Sequence, residues 1–333
     1  MRTIPDTTIP QLTSVNNELD LGTGILTLRF DETLDTSVGS GGSHQMRAVN
    51  LANIFLVNAP DSVIDLAGAL TLTSLEDNRA LRILLNETQR VFAIESSAST
   101  VRGGDSIIMT LSIQADAVTD IAGNGNALQE SVTLIEIVDA ILPTFGAPAT
   151  IDLNAGEIVL TASETMDLSG ATSDAVYVDS SKYDLSLISL TDNSNTNNPN
   201  NIPSMNSRSM SLQGAQVLAR TNLGAPLTIT IRLTEIQRVA AVEASSNLPR
   251  LGQAITLTIA AGVAKDVSLL LSTTADAGIT PDTVTLQETP DTVAPTLLSG
   301  VIDYSTGLLT VTTSEMLGGA SGTPLETLAI GRY

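Results

Sequence analysis

Short stretches of alternating hydrophobic and polar residues recur along the chain. In the stretches 26–30, 158–162 and 309–313, every second residue is apolar or a threonine, and the residues between them are mostly polar. A period of two over about six residues predicts a half-buried β-strand. Each stretch ends in an acidic step that contains Glu32, Glu164 or Glu315. These strands are therefore three copies of one structural position.

A common opening precedes each of these strands. Asp6, Asp139 and Asp291 each stand four residues before a proline, in the pattern Asp-x-x-x-Pro. A proline suits the edge of a first strand, and the aspartate can cap a local turn. The chain is therefore predicted to be an array of domain-sized repeats, with repeat 1 at residues 1–138, repeat 2 at 139–290 and a partial repeat 3 at 291–333.

A second pair of matching segments predicts one helix in each of the first two repeats. The strand-like stretches 81–85 and 229–233 run directly into the segments 86–89 and 234–237, which read Asn-Glu-Thr-Gln and Thr-Glu-Ile-Gln. Each segment places a capping side chain three residues before a glutamine, as in a capping box. A short helix is predicted to begin at each of these segments.

Many short strands with one helix per repeat predict an all-β fold of tandem Ig-like antiparallel β-sandwiches. Apolar residues make up 42% of the chain, which is enough for a packed core in each repeat. Aromatic residues make up only 2%, so the cores must be built from aliphatic side chains. The chain has no cysteine, which excludes disulfides, a thiolate nucleophile and a cysteine-based zinc site.

Several short motifs carry a resemblance to a known group of domains. The openings at 6–10 and 291–295, the strand ends at 31–35 and 163–167, and the segment 120–124 resemble those of bacterial Ig-like domains that occur in tandem in surface-layer proteins and adhesins. The strand, capped helix and glycine turn of 85–104 are also similar to repeats of large secreted surface proteins of algae and protists. Repeat 2 departs from the pattern after Asp266, where the Ala-Gly-Asn is lost, so a site built on that turn is in doubt there.

The charge balance limits the kinds of partner that the chain is expected to bind. The chain has 36 acidic and 15 basic residues, for a net charge of -21. This charge argues against binding to nucleic acids or to anionic membranes, although an acidic surface could collect divalent cations. Because no run of about 18 apolar residues occurs, membrane insertion is not expected. The N-terminus lacks an apolar signal core, which fits either a cytosolic protein or a segment of a longer secreted precursor. Because the third repeat stops early, we expect the second, located outside the cell or on its surface.

The sequence does not predict an enzyme. His44 is the only histidine; it lies in a Gly/Ser-rich loop and has no equivalent in repeat 2. A Ser-His-Asp triad or a histidine metal site would have to use it. Carboxylate pairs could in principle cleave glycosides, but they recur with the repeat, as structural positions do. Arg90 and Arg238 also match across the repeats, which predicts a structural hydrogen bond or ion pair.

The recurring acids have two interpretations. They could hold Ca²⁺ through carboxylate oxygens and stiffen the joints between repeats, or they could cap local turns. No EF-hand-like spacing occurs, which favours the turns. The segment 116–124 is likewise either a calcium site or a type I turn with glycine in the left-handed conformation. The candidate calcium ligands are Asp6, Asp139, Asp291, Glu32, Glu164, Asp116, Asp120 and Asn124, and calcium is the one cofactor considered.

The sequence as a whole predicts a non-enzymatic extracellular structural repeat protein, which works as a structural or adhesive element such as a surface filament, coat or stalk. The partial repeat 3 has too few strands to bury a core and is expected to have sticky edges. Self-association into a polymer, or binding to other surface proteins, is therefore the expected partnership. The alternatives are a passive spacer of a larger adhesin and a carbohydrate-binding module that uses the loops 192–211 or 39–47.

Overall fold

The computed structural model of the protein describes most of the chain. The described residues are 5–37, 46, 49–59, 62–75, 78–168, 177–192, 209–218, 227–245, 254–274, 280–315, 317–318 and 324–325. The chain divides into two compact units. The first consists of Met1–Pro143, Asn222–Pro226 and Lys265–Leu270, and the second of Thr144–Thr221, Leu227–Ala264 and Leu271–Tyr333. The three repeat boundaries drawn from the sequence stay a prediction.

The first unit is built from short strands and one α-helix. Its elements are β1 (Glu18–Asp20), β2 (Ile25–Arg29), β3 (Ile54–Ala59), β4 (Ser62–Asp65), β5 (Leu70–Leu75), β6 (Ala80–Leu84), α1 (Glu87–Glu95), β7 (Thr110–Ile113), β8 (Gln129–Thr133) and β9 (Ile135–Ile137). Short 3₁₀ turns occupy Leu51–Asn53 and Thr100–Arg102. The strands form two sheets, ordered β5-β6-β2-β1-β9 and β4-β3-β7-β8.

The second unit repeats this topology. Its elements are β10 (Phe145–Asp152), β11 (Glu157–Ala162), β12 (Ile188–Asp192), β13 (Ser209–Ser211), β14 (Gln216–Val217), β15 (Thr228–Arg232), α2 (Glu235–Ala244), β16 (Ile255–Ile259), β17 (Asp282–Thr285) and β18 (Gln287–Thr289), with 3₁₀ turns at Ser180–Lys182 and Leu185–Leu187. Its sheets are ordered β14-β15-β11-β10-β18 and β13-β12-β16-β17. Strand for strand, this is the order of the first unit.

The core of each unit lies between its two sheets. Leu26 and Leu28 of β2 are fully buried and belong to the same apolar cluster as Ile54 of β3. Ile158 and Leu160 of β11 hold the same positions in the second cluster. Burial of one such side chain contributes about 1.5–3 kcal/mol, so the alternation seen in the sequence places each strand with one face on the core. The prediction of Ig-like β-sandwiches is confirmed.

One strand pair in each described sandwich runs parallel, which the prediction of antiparallel sheets did not include. Glu18 of β1 pairs with Ile135 of β9, and Thr150 of β10 pairs with Gln287 of β18, both in parallel register. Parallel neighbours need a long connection between them, and here most of a repeat separates the two strands. The first and last strands of the repeat thus close one edge of the same sheet.

Both helices begin as the capping pattern predicts. The Asn86 side chain accepts from Gln89 N at 3.0 Å, and the Gln89 side chain accepts from Asn86 N at 2.9 Å. Thr234 and Gln237 form the same reciprocal pair. The Gln89 amide nitrogen also donates to the backbone oxygens of Asp65 and Ala67, both at 3.0 Å. The glutamine therefore fastens the helix start to the end of β4 as well as closing the cap.

The last described strands are more exposed to solvent than the matching strands of the two units. The hairpin of β19 (Leu297–Asp303) and β20 (Leu308–Thr313) repeats the pairing of β10 with β11, and a further short pair joins β21 (Leu317–Gly318) to β22 (Pro324–Leu325). Every residue of β19 is exposed. Leu297 is 68% exposed and Val301 66%, whereas Ile151 of β10 is fully buried. The expected lack of a core around these strands is thus observed.

We expect the Gln89→Leu substitution to lower the free energy of unfolding by about 2–4 kcal/mol, because it removes the partner of two backbone carbonyl oxygens and of one backbone N–H. Urea unfolding followed by circular dichroism measures the change. Gln237→Leu should give a loss of the same size in the second unit. Thr88→Ala, on the exposed side of the same helix turn, serves as the control, and a loss as large as that of Gln89→Leu would contradict the assignment.

Candidate functional site

Three of the predicted calcium ligands meet in the first unit. Carboxylate oxygens of Asp6, Glu32 and Asp120 all lie within 4.8 Å of one another. They line a cleft of about 330 Å³, together with Asp31 and Arg79 among others. Asp6 is exposed, Glu32 is half-buried and Asp120 is buried. We refer to Asp6, Glu32 and Asp120 as the acidic triad.

The opening segment holds the first two members in place. Gln11 N donates to Asp31 Oδ1 at 2.9 Å, and Asp31 N donates back to Gln11 O at 3.0 Å. This pair fixes the segment before β1 against the end of β2, where Glu32 follows. Thr8 N donates to Asp6 Oδ1 at 3.0 Å, so the Asp6 carboxylate closes a local turn. The local sequence therefore brings Asp6 and Glu32 together.

A tight turn positions the third member. Asp120 N donates to Asn124 O at 3.0 Å, and Asn124 N donates to Asp120 Oδ1 at 2.8 Å. Gly123 has a φ of 88°, the left-handed conformation predicted for this turn. The Asn124 amide nitrogen donates to Asp120 Oδ2 at 2.8 Å and to the Asp6 backbone oxygen at 3.3 Å. Asn124 therefore joins the turn to the opening segment.

The triad concentrates negative charge. Desolvation, followed by the charges of Asp6, Asp120 and Asp31, raises the pKa of Glu32, and Arg79 offsets part of this effect. Glu32 Oε2 is buried and has no hydrogen-bond partner among the described residues. Since like charges at close range disfavour the ionised form, a cation placed among these oxygens would lower the free energy of the folded state.

The pKa of Asp120 shifts in the opposite direction to that of Glu32. Burial would raise its pKa, but the hydrogen bonds from the Asn124 side chain and from the backbone N–H groups of Asn124, Gly123 and Ala122 outweigh burial and lower it. A carboxylate that accepts several N–H groups is stabilised in its charged form. Asp120 therefore favours its charged form, whereas the surroundings of Glu32 favour its neutral form.

The helix arginine of the second unit binds two other predicted acids. Arg238 is 7% exposed, and its guanidinium donates to Asp291 Oδ2 at 2.7 Å and to Glu315 Oε2 at 3.0 Å. It also pairs with Glu235, one turn earlier on α2, at 2.8 Å, and donates to the Leu153 backbone oxygen at 3.1 Å. The hydrogen bond that Arg238 donates to Glu235 is the largest of the effects that raise the pKa of Arg238. Three carboxylates thus surround one guanidinium.

Arg90 makes the matching contacts in the first unit. It pairs with Glu87 at 2.8 Å and with Asp139 Oδ2 at 3.2 Å, and it donates to the Leu21 backbone oxygen at 3.2 Å. Asp139 is 1% exposed and also accepts from Ser268 Oγ at 2.8 Å. The repetition of Arg90 and Arg238 therefore marks a structural ion pair, as the sequence predicts.

The turn of Asp120 has a counterpart that sequence comparison put in doubt. Asp266 N donates to Leu270 O at 3.0 Å, and Leu270 N donates to Asp266 Oδ1 at 2.7 Å, as in the Asp120 turn. Leu269, with a φ of 63°, stands where the first turn has its glycine. The loss of Ala-Gly-Asn thus does not remove the turn, because the aspartate cap and one left-handed residue are enough to form it.

Asp266 is a fully buried carboxyl group. Its Oδ2 has no hydrogen-bond partner among the described residues, and a carboxylate oxygen of Asp139 lies within 4.8 Å of it. Burial is the main cause that raises the pKa of Asp266 to about 7; the charge of Asp139 adds to the shift and that of Arg90 opposes it. The sequence analysis missed this residue because its turn lacks the glycine of the first.

Of the remaining predicted calcium ligands, Asn124 contacts the triad, and the others are not among the carboxylates that meet there. Asp116 has a φ of 59°, and its Oδ1 would be 1.9 Å from a Cβ added to Gly125, so its side chain packs on that glycine. Glu164 is buried in the second unit. All three boundary aspartates accept from the N–H two residues later, including Ile141 N to Asp139 and Val293 N to Asp291. The three boundary aspartates thus cap local turns, and calcium binding stays a prediction.

Some predicted features lie outside the described residues. His44 does, as does most of the loops 39–47 and 192–211 that the carbohydrate-binding alternative requires. Within the part of the chain that the structure describes, no helix has both the length and the apolar character needed to cross a bilayer.

No protein-family model matches the chain, and no curated protein is found to match it. Among solved structures, the chain is similar to native alpha-2-macroglobulin from Escherichia coli spanning domains MG0-NIE-MG1, with 11% identity over 92% of this chain and 79% of that chain and a TM-score of 0.29. It is also similar to the FN1-FN3 domains of chicken CNTN1, with 11% identity, 92% and 73% coverage and a TM-score of 0.20. A marsupial T cell receptor matches at 11% identity, 95% and 90% coverage and a TM-score of 0.17. These TM-scores are too low to support an inference about function.

We expect Glu32→Gln to raise the melting temperature at neutral pH in a buffer free of divalent cations, because it removes a carboxylate whose charge Asp6, Asp31 and Asp120 oppose. Differential scanning calorimetry measures the shift. Added Ca²⁺ tests the calcium prediction in the same experiment, since a calcium site would raise the melting temperature of the parent chain more than that of the variant. A lower melting temperature for the variant in both buffers would contradict the repulsion inferred here.

We expect the free energy of unfolding to fall as the pH rises from about 4 to about 7, because folded Asp266 holds a proton that the unfolded chain releases near its ordinary pKa of about 3.9. Asp266→Asn should remove this slope and stabilise the chain at pH 8 by on the order of 2 kcal/mol, measured by urea unfolding across the pH range. Asp120→Asn is the matched control with the opposite sign, since its lowered pKa makes the carboxylate stabilising above about pH 4. An unchanged slope in Asp266→Asn would refute the assignment.

Proposed function

We propose that the protein is a non-enzymatic structural repeat protein of an extracellular surface, where it self-associates into a filament, coat or stalk. The observation that carries this proposal is that the same buried charged groups recur, with the same partners, in both units. Arg90 and Arg238 occupy the same helix position, and each pairs with the glutamate three residues earlier and with an opening aspartate. Charges placed in this way hold chain segments together, and a catalytic group is expected to stand in one site with its own perturbed environment.

The buried glutamines support the same view. Gln89 and Gln237 each close a capping box and donate to two backbone oxygens of a neighbouring segment. Polar residues that recur at equal positions with equal partners have a mechanical role, because they fix how a helix is attached to its sandwich. Such a unit can be repeated along a chain because each copy uses the same internal contacts.

The exposed hairpin β19–β20 supports self-association over a passive spacer. Leu297, Leu298 and Val301 of β19 are each more than 60% exposed, whereas the matching strands β1 and β10 each bury one face. An open strand edge with apolar side chains is a template for pairing with another chain. Contact between copies would bury this surface and give the assembly its axial repeat.

We expect negative-stain electron microscopy of the full chain to show regular filaments whose number increases with protein concentration, with or without a chelator. Val301→Lys in the exposed hairpin should reduce their number at equal concentration, because it places a charge on the apolar strand. Val101→Lys, at a site that is 80% exposed in a turn, is the matched control. Single short rods at every concentration would refute the assembly and favour a spacer.

A further inference from the structure

We propose that Asn86, at the start of α1, is the attachment site of an N-linked glycan. Residues 86–88 read Asn-Glu-Thr, which is the only Asn-x-Ser/Thr sequence in the chain and the acceptor sequence for such glycans. The assignment rests on the proposed extracellular location, because the transferases that attach these glycans act on chains that enter the secretory route. The group transferred is an oligosaccharide, and its donor is a lipid-linked sugar pyrophosphate.

The two helix starts differ only at the positions that make this sequence. Residues 86–90 read Asn-Glu-Thr-Gln-Arg, and residues 234–238 read Thr-Glu-Ile-Gln-Arg. The shared glutamate, glutamine and arginine form the ion pair and close the capping box in both units. Thr234 accepts from Gln237 N at 3.3 Å, so the cap does not need an asparagine. The structure that the units share therefore requires neither Asn86 nor Thr88.

The helix cap uses only one of the two polar atoms of the Asn86 side chain. Asn86 Oδ1 accepts from Gln89 N at 3.0 Å. Asn86 is exposed, and its Nδ2 donates no hydrogen bond to any residue that the structure describes. A glycan bonds to Nδ2 and leaves Oδ1 as an amide oxygen with its lone pairs. The cap and the glycan can therefore exist together.

The surroundings of Nδ2 leave room for a sugar. A Cβ added to Gly68 would lie 3.4 Å from Asn86 Nδ2, so a side chain at this glycine would occupy space next to the attachment atom. The φ of 84° favours glycine at this position for its own sake, and Gly214 in the matching turn has a φ of 89°. Thr88 is exposed as well. The asparagine and the threonine of the acceptor sequence are thus both accessible at the helix start.

The transfer step balances with the lipid-linked sugar pyrophosphate as the second reactant. Asn86 Nδ2 forms a bond to the anomeric carbon of the first sugar while the bond from that carbon to the phosphate oxygen breaks. The lipid pyrophosphate leaves with the electron pair of the broken bond, and one Nδ2 proton passes to a base of the transferase. No group is oxidised or reduced.

The short helix does not prevent this transfer. α1 has nine residues, and an isolated helix of this length is marginal in water. Before the sandwich packs, the segment 86–88 can therefore extend into a transferase site. After folding, Asn86 is outside the helix proper, with a φ of −73° and a ψ of 165°. The glycan is then carried on an extended residue at the surface.

The test secretes the full chain from a eukaryotic host, with a cleavable signal peptide placed before Met1. Peptide N-glycosidase converts a glycosylated asparagine to aspartate, and in heavy-oxygen water the new carboxylate takes up the heavy isotope. Mass spectrometry then locates the isotope in the peptide that contains residues 86–88. Circular dichroism checks that the secreted chain is folded.

We expect the isotope at Asn86 and a reduced electrophoretic mobility that the glycosidase restores. Thr88→Ala should remove the glycan, whereas Thr88→Ser, the matched control, should keep it. Asn86→Ser should also remove the glycan but leave the fold intact, because serine is an equally good N-cap. Ile236 is 59% exposed, and Thr234→Asn with Ile236→Thr builds the acceptor sequence at the cap of α2, where it should add a second glycan.

An unlabelled Asn86 in a folded, secreted chain would overturn the assignment. A glycan found only on misfolded material would do so too, because the cap and the glycan would then exclude each other. If Thr234→Asn with Ile236→Thr folds without a second glycan, a cap of this geometry is not accessible. Should that variant not fold, the comparison of Thr88→Ala with Thr88→Ser decides.

The same material separates this site from the proposed assembly. Filaments of a chain whose Asn86 is unmodified would leave the proposed function intact and remove the glycan site. A glycan at Asn86 on chains that form no filaments would do the reverse.

Discussion

The ion pair between a helix arginine and a boundary aspartate about 50 residues further along the chain is the interaction on which the other features of this structure depend. A guanidinium that is less than a tenth exposed is costly unless its donors are satisfied, and Arg238 meets that need with three carboxylates and one carbonyl oxygen. The capping box starts the helix where the arginine can reach these groups. The turn at the aspartate points one carboxylate oxygen at it and uses the other for the backbone.

This arrangement explains why the chain is strongly acidic and still folds into close-packed sandwiches. Many of its carboxylates accept from backbone N–H groups in short turns, which stabilise their charged form, and several others pair with Arg90 or Arg238. Where burial and like charges outweigh such partners, the pKa of the carboxyl group rises. The pKa of Asp266 rises to about 7 as a result of burial, and that of Glu32 rises through desolvation and its acidic neighbours.

The recurring polar groups of this chain position strands and a helix in each of the two units. Two features differ from their counterparts elsewhere in the chain. The carboxylates of the acidic triad have no ion pair among the described residues, and the hairpin β19–β20 is exposed. Contact with another chain would cover the hairpin, in line with the proposed self-association.

The sequence by itself determined the elements and their repetition. Alternation placed Leu26, Leu28, Ile158 and Leu160 on core faces, and the capping residues set both helix starts, because these signals depend on neighbours a few residues apart. The tertiary structure alone decided which distant groups meet. The parallel pairing of β1 with β9, the convergence of Asp120 on Asp6 and Glu32, and the burial of Asp266 join residues about 90 or more positions apart in the chain or depend on a whole fold around one side chain. Local sequence patterns do not reveal such contacts, because the free energy that selects these contacts comes from packing of the complete sandwich.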